Sequence, residues 1–388
     1  DGGTVNVTVD AGFAINVDNT SGDRLELEAN AGTLEGNAGT VDLKTNSQVN
    51  YNSSGLRLAA GTDVGNGGIL SIVTSIDPMV PPAAALALFD PLLLNGGLNG
   101  SGGRLTVRAG SLVDASGGTG LVVNADANQT VNGTGAGGNI DIEVGGGDFN
   151  IASGSQEYYA RGAGSSGDGG RIRLATVAGV VNIDPAFIQS QPTGSTGSGA
   201  NYDLSGLALT VSGDMEAQGR GDGVAGGSIR LSAFNSFVRT DGSLNAAAYV
   251  DSSGFNLTGR GGTVYVYNNF TFGDTFQVGQ ILSWDPTTPP STPIPAELPG
   301  INGTVAAVNV EIINNGGSIT VSDNQYLQAG QTLTFRAPNN NLDLYANSLG
   351  QVIVPLTDPV LGPQAPALTI EAGALRVSHR SSPTLELP

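Results

Sequence analysis

The fold class this sequence predicts is all-β: a parallel β-solenoid, or β-helix, right-handed, and three observations predict it. The first is a two-glycine step followed by a short alternating strand. It runs from Gly2-Gly3-Thr4-Val5-Asn6-Val7 through Gly102-Gly103-Arg104-Leu105-Thr106-Val107, Gly137-Gly138-Asn139-Ile140-Asp141-Ile142 and Gly169-Gly170-Arg171-Ile172-Arg173-Leu174. It returns at Gly226-Gly227-Ser228-Ile229-Arg230-Leu231, Gly261-Gly262-Thr263-Val264-Tyr265-Val266 and Gly316-Gly317-Ser318-Ile319-Thr320-Val321, with looser copies at Gly39 and Gly67-Gly68. The second is spacing: six of the eight intervals between steps are 29–36 residues, and the other two, 57 and 55, leave room for one more turn without its glycine pair. The third is composition, with 60 glycines in 388 residues, about twice the usual share, and few aromatics. One such repeat cannot bury a strand's apolar face alone, so copies must stack and share a core.

Within each strand the alternation sends every second side chain to one side. Leu105, Ile140, Ile172, Ile229 and Val264 form one inward row, and Val107, Ile142, Leu174, Leu231 and Val266 the next. Outward, Thr106, Asp141, Arg173, Arg230 and Tyr265 make one row, and Arg108, Glu143, Ala175, Ser232 and Tyr267 another. This register sets Asp141 against Arg173 and Glu143 against Arg108, pairs that each favour it by a few tenths to about 1 kcal/mol. Tyr265 and Tyr267 close the rows as an exposed aromatic pair.

The repeats occupy residues 1–283, interrupted at 76–99 by the most apolar stretch of the chain. Pro81, Pro82 and Pro91 limit any helix there to about two turns. It covers the solenoid flank or, through Leu86, Leu88, Phe89, Leu92, Leu93 and Leu94, offers a contact surface to another subunit. Residues 284–300 are a proline-rich excursion, and 301–388 continue as a less regular β-rich part. Within it, Val354 to Pro366, with four prolines, reads as a non-strand crossing.

The net charge of −19 argues against nucleic acid and anionic membranes as partners. With no cysteine there is no disulfide or thiolate chemistry, and the composition suits an exported, extracellular protein. No signal peptide or 20-residue apolar span is present, so the chain is mature or a fragment, with nothing to insert it in a membrane. The one histidine, His379, has no serine elbow or carboxylate pattern around it, and no catalytic residue or cofactor is assigned. Asp141 and Glu143 share a face, as acid/base pairs do, but the adjoining arginines give them a structural reason. Asp168 and Asp222, each in a Gly-Asp-Gly turn, are weak calcium candidates, because the tandem nonapeptide of calcium-binding β-helices is missing. Arg220-Gly221-Asp222 reads as a chance tripeptide in so glycine-rich a chain.

The repeated Gly-Gly-[Ser/Thr/Arg]-[Ile/Leu/Val]-x-[Leu/Val], with Gly110-Ser111-Leu112 to Ala115 and Gly259-Arg260-Gly261-Gly262, resembles secreted bacterial β-helical proteins of the filamentous-haemagglutinin-like and autotransporter-adhesin-passenger type. The resemblance covers residues 1 to about 325 and implies adhesion, surface structure or biofilm contact. The chain departs from that family in showing no N-terminal secretion and capping module and no C-terminal translocator. Strand-like sequence begins at residue 4 and recurs at Leu368-Thr369-Ile370 and Leu375-Arg376-Val377, with no polar cap at either end. The chain is therefore an excerpt, or its ends pair with the next copy. The leading expectation is a non-enzymatic subunit of an extracellular filament or surface fibre, a homopolymer assembling head to tail. A passenger fragment binding glycan or matrix, for instance through Tyr265 and Tyr267, is the alternative, and a β-helical polysaccharide lyase or hydrolase the third.

Overall fold

The structure is a computed structural model that describes residues 2–9, 15–18, 36–45, 49–52, 65–74, 85–88, 92–114, 121–129, 132–221, 224–250, 254–256, 262–269, 275–278, 300–301, 303–321, 327–347, 353–358, 362–364 and 366–380. It is a parallel β-solenoid whose coils have three straight runs each. The first face begins with Thr4–Val9, Thr40–Thr45, Ile69–Val73 and the first half of Arg104–Asp114, each pairing with the next in parallel. Asn139–Gly146, Arg171–Thr176, Asn201–Gly206, Ser228–Ala233 and Thr263–Asn268 follow. The second half of Val305–Asn314, the middle of Leu327–Asn347 and the start of Ala367–Arg380 complete twelve described levels. At about 4.8 Å per level the stack is about 53 Å long.

The second face includes Ala85–Leu88 against residues 111–114, then Phe149–Ile151, Val181–Ile183, Leu209–Val211 and Val238–Thr240. The third is built by Leu92–Leu93, Leu121–Asn124, Gln156–Tyr159 and Ile188–Gln189, and farther along by Met215–Glu216 and Leu244–Asn245. Beside the stack, Ala248–Val250 and Gly254–Asn256 form a small antiparallel hairpin.

Both long intervals contain a full turn. Asn201–Gly206 fills the first, inserting Tyr202 between Ile172 and Ile229 and Leu204 between Leu174 and Leu231. Tyr202 is buried, and its hydroxyl accepts the Ser190 N–H at 2.8 Å, so the aromatic ring fits an aliphatic row without an unmet polar group. In the second, Val305–Asn314 adds a level and corrects the face of the last glycine step: Ile319–Val321 pairs with Phe276–Val278 on the second face. Alternation alone says nothing about which face a strand joins. Gly300–Ile301 pairs between Val238–Thr240 and Phe276–Val278, out of chain order, and residues 284–299 lie outside the described residues. Across this excursion the first-face ladder is unbroken, since Thr263–Asn268 pairs with residues 309–314. The crossing expected at Val354 to Pro366 is also corrected, because Ile353–Asp358 joins the third face through Leu327 and turns back onto Gly362–Gln364.

Inward, Leu105, Val107, Ile140, Ile142, Ile172, Leu174, Ile229, Leu231, Val264 and Val266 are all fully buried in one continuous core. Complete burial of such a side chain contributes about 1.5–3 kcal/mol. The apolar insertion belongs to the same core. Leu86 stacks on Leu112, Leu92 on Val123, and Leu86, Leu92 and Leu94 are buried, so these three cannot form a contact surface. Leu93 points outward half-buried, Leu88 lies on its strand, and Phe89 lies outside the described residues. The segment reads as an insertion because it is two core strands run together without a glycine pair.

The glycine step is the corner where a coil closes. The N–H groups of Gly103, Gly138, Gly170 and Gly227 donate to the carbonyls of Leu94, Ala125, Ala160 and Ala217, which end the third face. A Cβ on Gly102 would lie 1.7 Å from the Ala125 oxygen, and one on Gly138 would lie 2.2 Å from the Gly103 oxygen. Backbone occupies the volume any side chain needs, so close approach, rather than unusual dihedrals, selects glycine here. Just before the step, side chains cap the next level's N–H: Asn37 accepts from Asn66, Asn66 from Ser101, Ser101 from Ala136, and Asp168 from Ser198. This is why short polar residues precede the glycines. Gly138→Ala is expected to destabilise the chain by about 1–3 kcal/mol. At the far end of the strand that Gly138 precedes, Gly146→Ala, whose Cβ meets nothing closer than 4.0 Å, should change stability by less than about 1 kcal/mol. Thermal melts of the two variants check the contrast.

Candidate functional surface

The outward side of the first face carries the densest polar constellation among the described residues. Because adjacent levels stand in register, Arg108 lies beside Glu143, and Asp141 beside Arg173. Each carboxylate engages both arginines. Asp141 accepts from Arg108 at 2.7 Å and from Arg173 at 2.9 Å, while Glu143 lies 3.6 Å from Arg108 and 3.0 Å from Arg173. The row continues through Asp203, 3.8 Å from Arg173 and 3.9 Å from Arg230. Arg230 lies 4.1 Å over the Tyr265 ring, a cation–π contact. Farther on, Arg336 joins Glu311 at 3.3 Å to Glu371 at 3.8 Å.

Tyr265 and Tyr267 are half-buried rather than exposed, with nearly parallel rings 6.4 Å apart. Tyr267 is tilted against Phe234 at 6.3 Å, and its hydroxyl accepts from the Asn315 amide at 3.0 Å. One face of Tyr265 is thus already covered by Arg230, leaving an aromatic strip whose most exposed ring is Phe234, at 46 %.

Burial opposes the charge on Asp141, but hydrogen bonds from Arg108 and Arg173 and their positive charge outweigh it and hold this carboxyl below the ordinary range. A general acid needs the opposite displacement, so this geometry keeps Asp141 as a fixed anion. Of the calcium candidates, Asp168 is exposed and spends Oδ1 on the Ser198 N–H, while Asp222 lies outside the described residues. His379 lies on the strand Ala367–Arg380, at the register position of Ala346. One cluster escaped the sequence reading: Asp126 and Arg161, on the third-face side of the coil, form an ion pair at 2.7 Å. Their separation of 35 residues, one coil period, is the signal that could have found it.

No family model, curated protein or solved structure matches this chain. The functional reading therefore stands on the residues themselves.

Asp141 has its pKa depressed in the folded state, so its contribution is present above the unfolded value near 3.9 and is lost as pH falls through the folded value. Asp141→Asn is expected to lower stability at pH 7 by about 1–3 kcal/mol, because two half-buried arginines lose their shared partner. Melts followed as a function of pH should show the gap between wild type and variant narrowing below about pH 4.

Proposed function

We propose that this chain is a non-enzymatic structural subunit of an extracellular filament or surface fibre, extended end to end by strand addition. The observation that carries the reading is the apolar edge formed by Ala367–Arg380. Its Leu368, Leu375 and Val377 continue inward rows whose preceding members, Leu333, Leu342 and Leu344, are buried. They are themselves 46 %, 50 % and 68 % exposed. Among the described residues this strand pairs on one side only, and so does Thr4–Val9 at the opposite edge.

The two edges are complementary. Strands on the first face all run the same way, so Thr4-Val5-Asn6-Val7-Thr8 can follow Ala367-Leu368-Thr369-Ile370-Glu371 as that segment follows Thr332-Leu333-Thr334-Phe335-Arg336. Val5 and Val7 then cover Leu368 and Ile370, and the open row of N–H and C=O groups is paired. The added level lengthens the rod whether it comes from the same polypeptide or from a second copy; a second copy makes a polymer that does not close. The acidic charge of −19 disfavours side-by-side clumping of such rods.

Electron microscopy and sedimentation of the 388-residue chain across a concentration series test the proposal. Linear assemblies that lengthen by about 58 Å per added copy, twelve levels of about 4.8 Å, are expected. Leu368→Asp should shorten them without lowering the melting temperature, since that side chain is half exposed. Single short rods at every concentration would reject the reading.

A further inference from the structure

We propose that Asn315 is a site of spontaneous covalent modification, converting through a cyclic imide to aspartate and isoaspartate and so marking the age of the chain. Asn-Gly pairs occur six times, at Asn66, Asn95, Asn99, Asn132, Asn302 and Asn315. Glycine has no Cβ to shield its nitrogen, so in an unfolded chain each pair is prone to this reaction. Folding decides which of them stay reactive. Asn302 and residues 130–131, which precede Asn132, lie outside the described residues, and four pairs are left to compare.

The reaction needs a free nucleophile. The glycine nitrogen gives up its proton to solvent base and bonds to the asparagine Cγ, while the Cγ–Nδ2 bond breaks and Nδ2 leaves as ammonia. Water then opens the ring: at the Cγ carbonyl it yields aspartate, and at the main-chain carbonyl isoaspartate, whose backbone runs through the side chain. No oxidant or reductant takes part. In three of the four pairs the glycine N–H is already committed. Gly67 donates to the Ser101 carbonyl at 2.9 Å, Gly96 to that of Asp126 at 2.9 Å and Gly100 to that of Gly97 at 3.0 Å. Asn66 is held by its side chain as well, since Oδ1 accepts the Ser101 N–H at 3.0 Å. Freeing such nitrogens requires local opening of the stack.

Asn315 differs on both counts. It is exposed, at the corner between Val305–Asn314 on the first face and Ile319–Val321 on the second. The Gly316 N–H has no hydrogen-bond partner among the described residues. The Asn315 side chain is tethered through Nδ2, which donates to the Tyr267 hydroxyl at 3.0 Å, a contact that does not engage the Gly316 nitrogen. Asn99 isolates the cause: it is as exposed in its corner as Asn315, but the N–H that follows it is bonded. Isoaspartate adds one carbon to the main chain of a corner that the Asn314 amide spans by donating to the Ser318 carbonyl at 2.9 Å. Conversion therefore loosens the link between the two faces at this level.

Ageing the intact folded chain in mildly alkaline buffer tests this, with each site followed by peptide mass spectrometry and isoaspartate distinguished by enzymatic methylation. Asn315 is expected to convert about tenfold or more faster than Asn66, Asn95 and Asn99, as the cost of freeing a bonded N–H requires. Its rate should rise with pH, because the attacking nitrogen must lose its proton. In the urea-unfolded chain the four sites should convert at similar rates. Gly316→Ala, at a position whose φ lies outside the left-handed region, should slow conversion of Asn315 severalfold. The ratio of Asn315 to Asn99 in the wild-type chain is the readout should that variant not fold. Asn315 left intact while the unfolded chain converts, or Asn99 converting as fast as Asn315 in the folded chain, would overturn the proposal. Neither readout depends on end-to-end assembly.

Discussion

Closure of each coil at the glycine corner is the constraint on which the rest of the solenoid depends. There the N–H of Gly103, Gly138, Gly170 or Gly227 reaches the carbonyl that ends the third face, and three runs of chain become a closed triangle. Backbone meets backbone with no room for a Cβ, so the corner fixes where the first-face strand begins. A one-residue slip in that strand would turn its apolar row outward. The corner is therefore what holds Ile140 over Leu105 and Asp141 beside Arg173.

Where the glycine pair is incomplete, the fold changes to keep the closure. At Gly199-Ala200 the first position remains glycine, because its Cβ would lie 2.1 Å from the Ala217 oxygen, and the second tolerates a buried methyl. Near residues 307–309, which have no glycine, the ladder to Leu327–Asn347 shifts register. The extra residue lies in the later strand, at Gly330-Gln331 between Ala329 and Thr332, so one more residue there bridges to a level that has no glycine.

This explains what could be read from the sequence. The fold class and the inward rows were legible because the glycine pair marks the corner and period-two alternation follows it directly. Asn201–Gly206 was anticipated only as a gap of the right length, since Gly199-Ala200 breaks the pattern by one methyl group. Leu86, Leu92 and Leu94 were left between covering the flank and forming a contact surface, because apolar sequence without a corner signal looks the same in a core strand and in an exposed patch. Ile319–Val321 carries the signal and belongs to another face, since the local pattern encodes a corner and not its number. Asp126 with Arg161 was missed because neither sits beside a glycine step, although both sit one period apart.

Stacking also limits where chemistry can reside. Every outward side chain meets its counterparts about 4.8 Å above and below. Like charges at that distance repel by about 3.5 kcal/mol at the effective dielectric of a protein surface and by about 0.9 kcal/mol in bulk water. A long row must therefore alternate in sign or turn neutral, and the first face does both. Asp141, Arg173, Asp203 and Arg230 alternate along one row, Tyr265 then separates Arg230 from Glu311, and in the adjoining row Arg108 stands beside Glu143. Groups paired in this way are already spent on their neighbours and have little left for a ligand. Buried side-chain oxygens without a hydrogen-bond partner nevertheless lie within the regular strands, at Asp42 and Asn139, as well as at Asn95, so register alone does not supply every polar group with a partner.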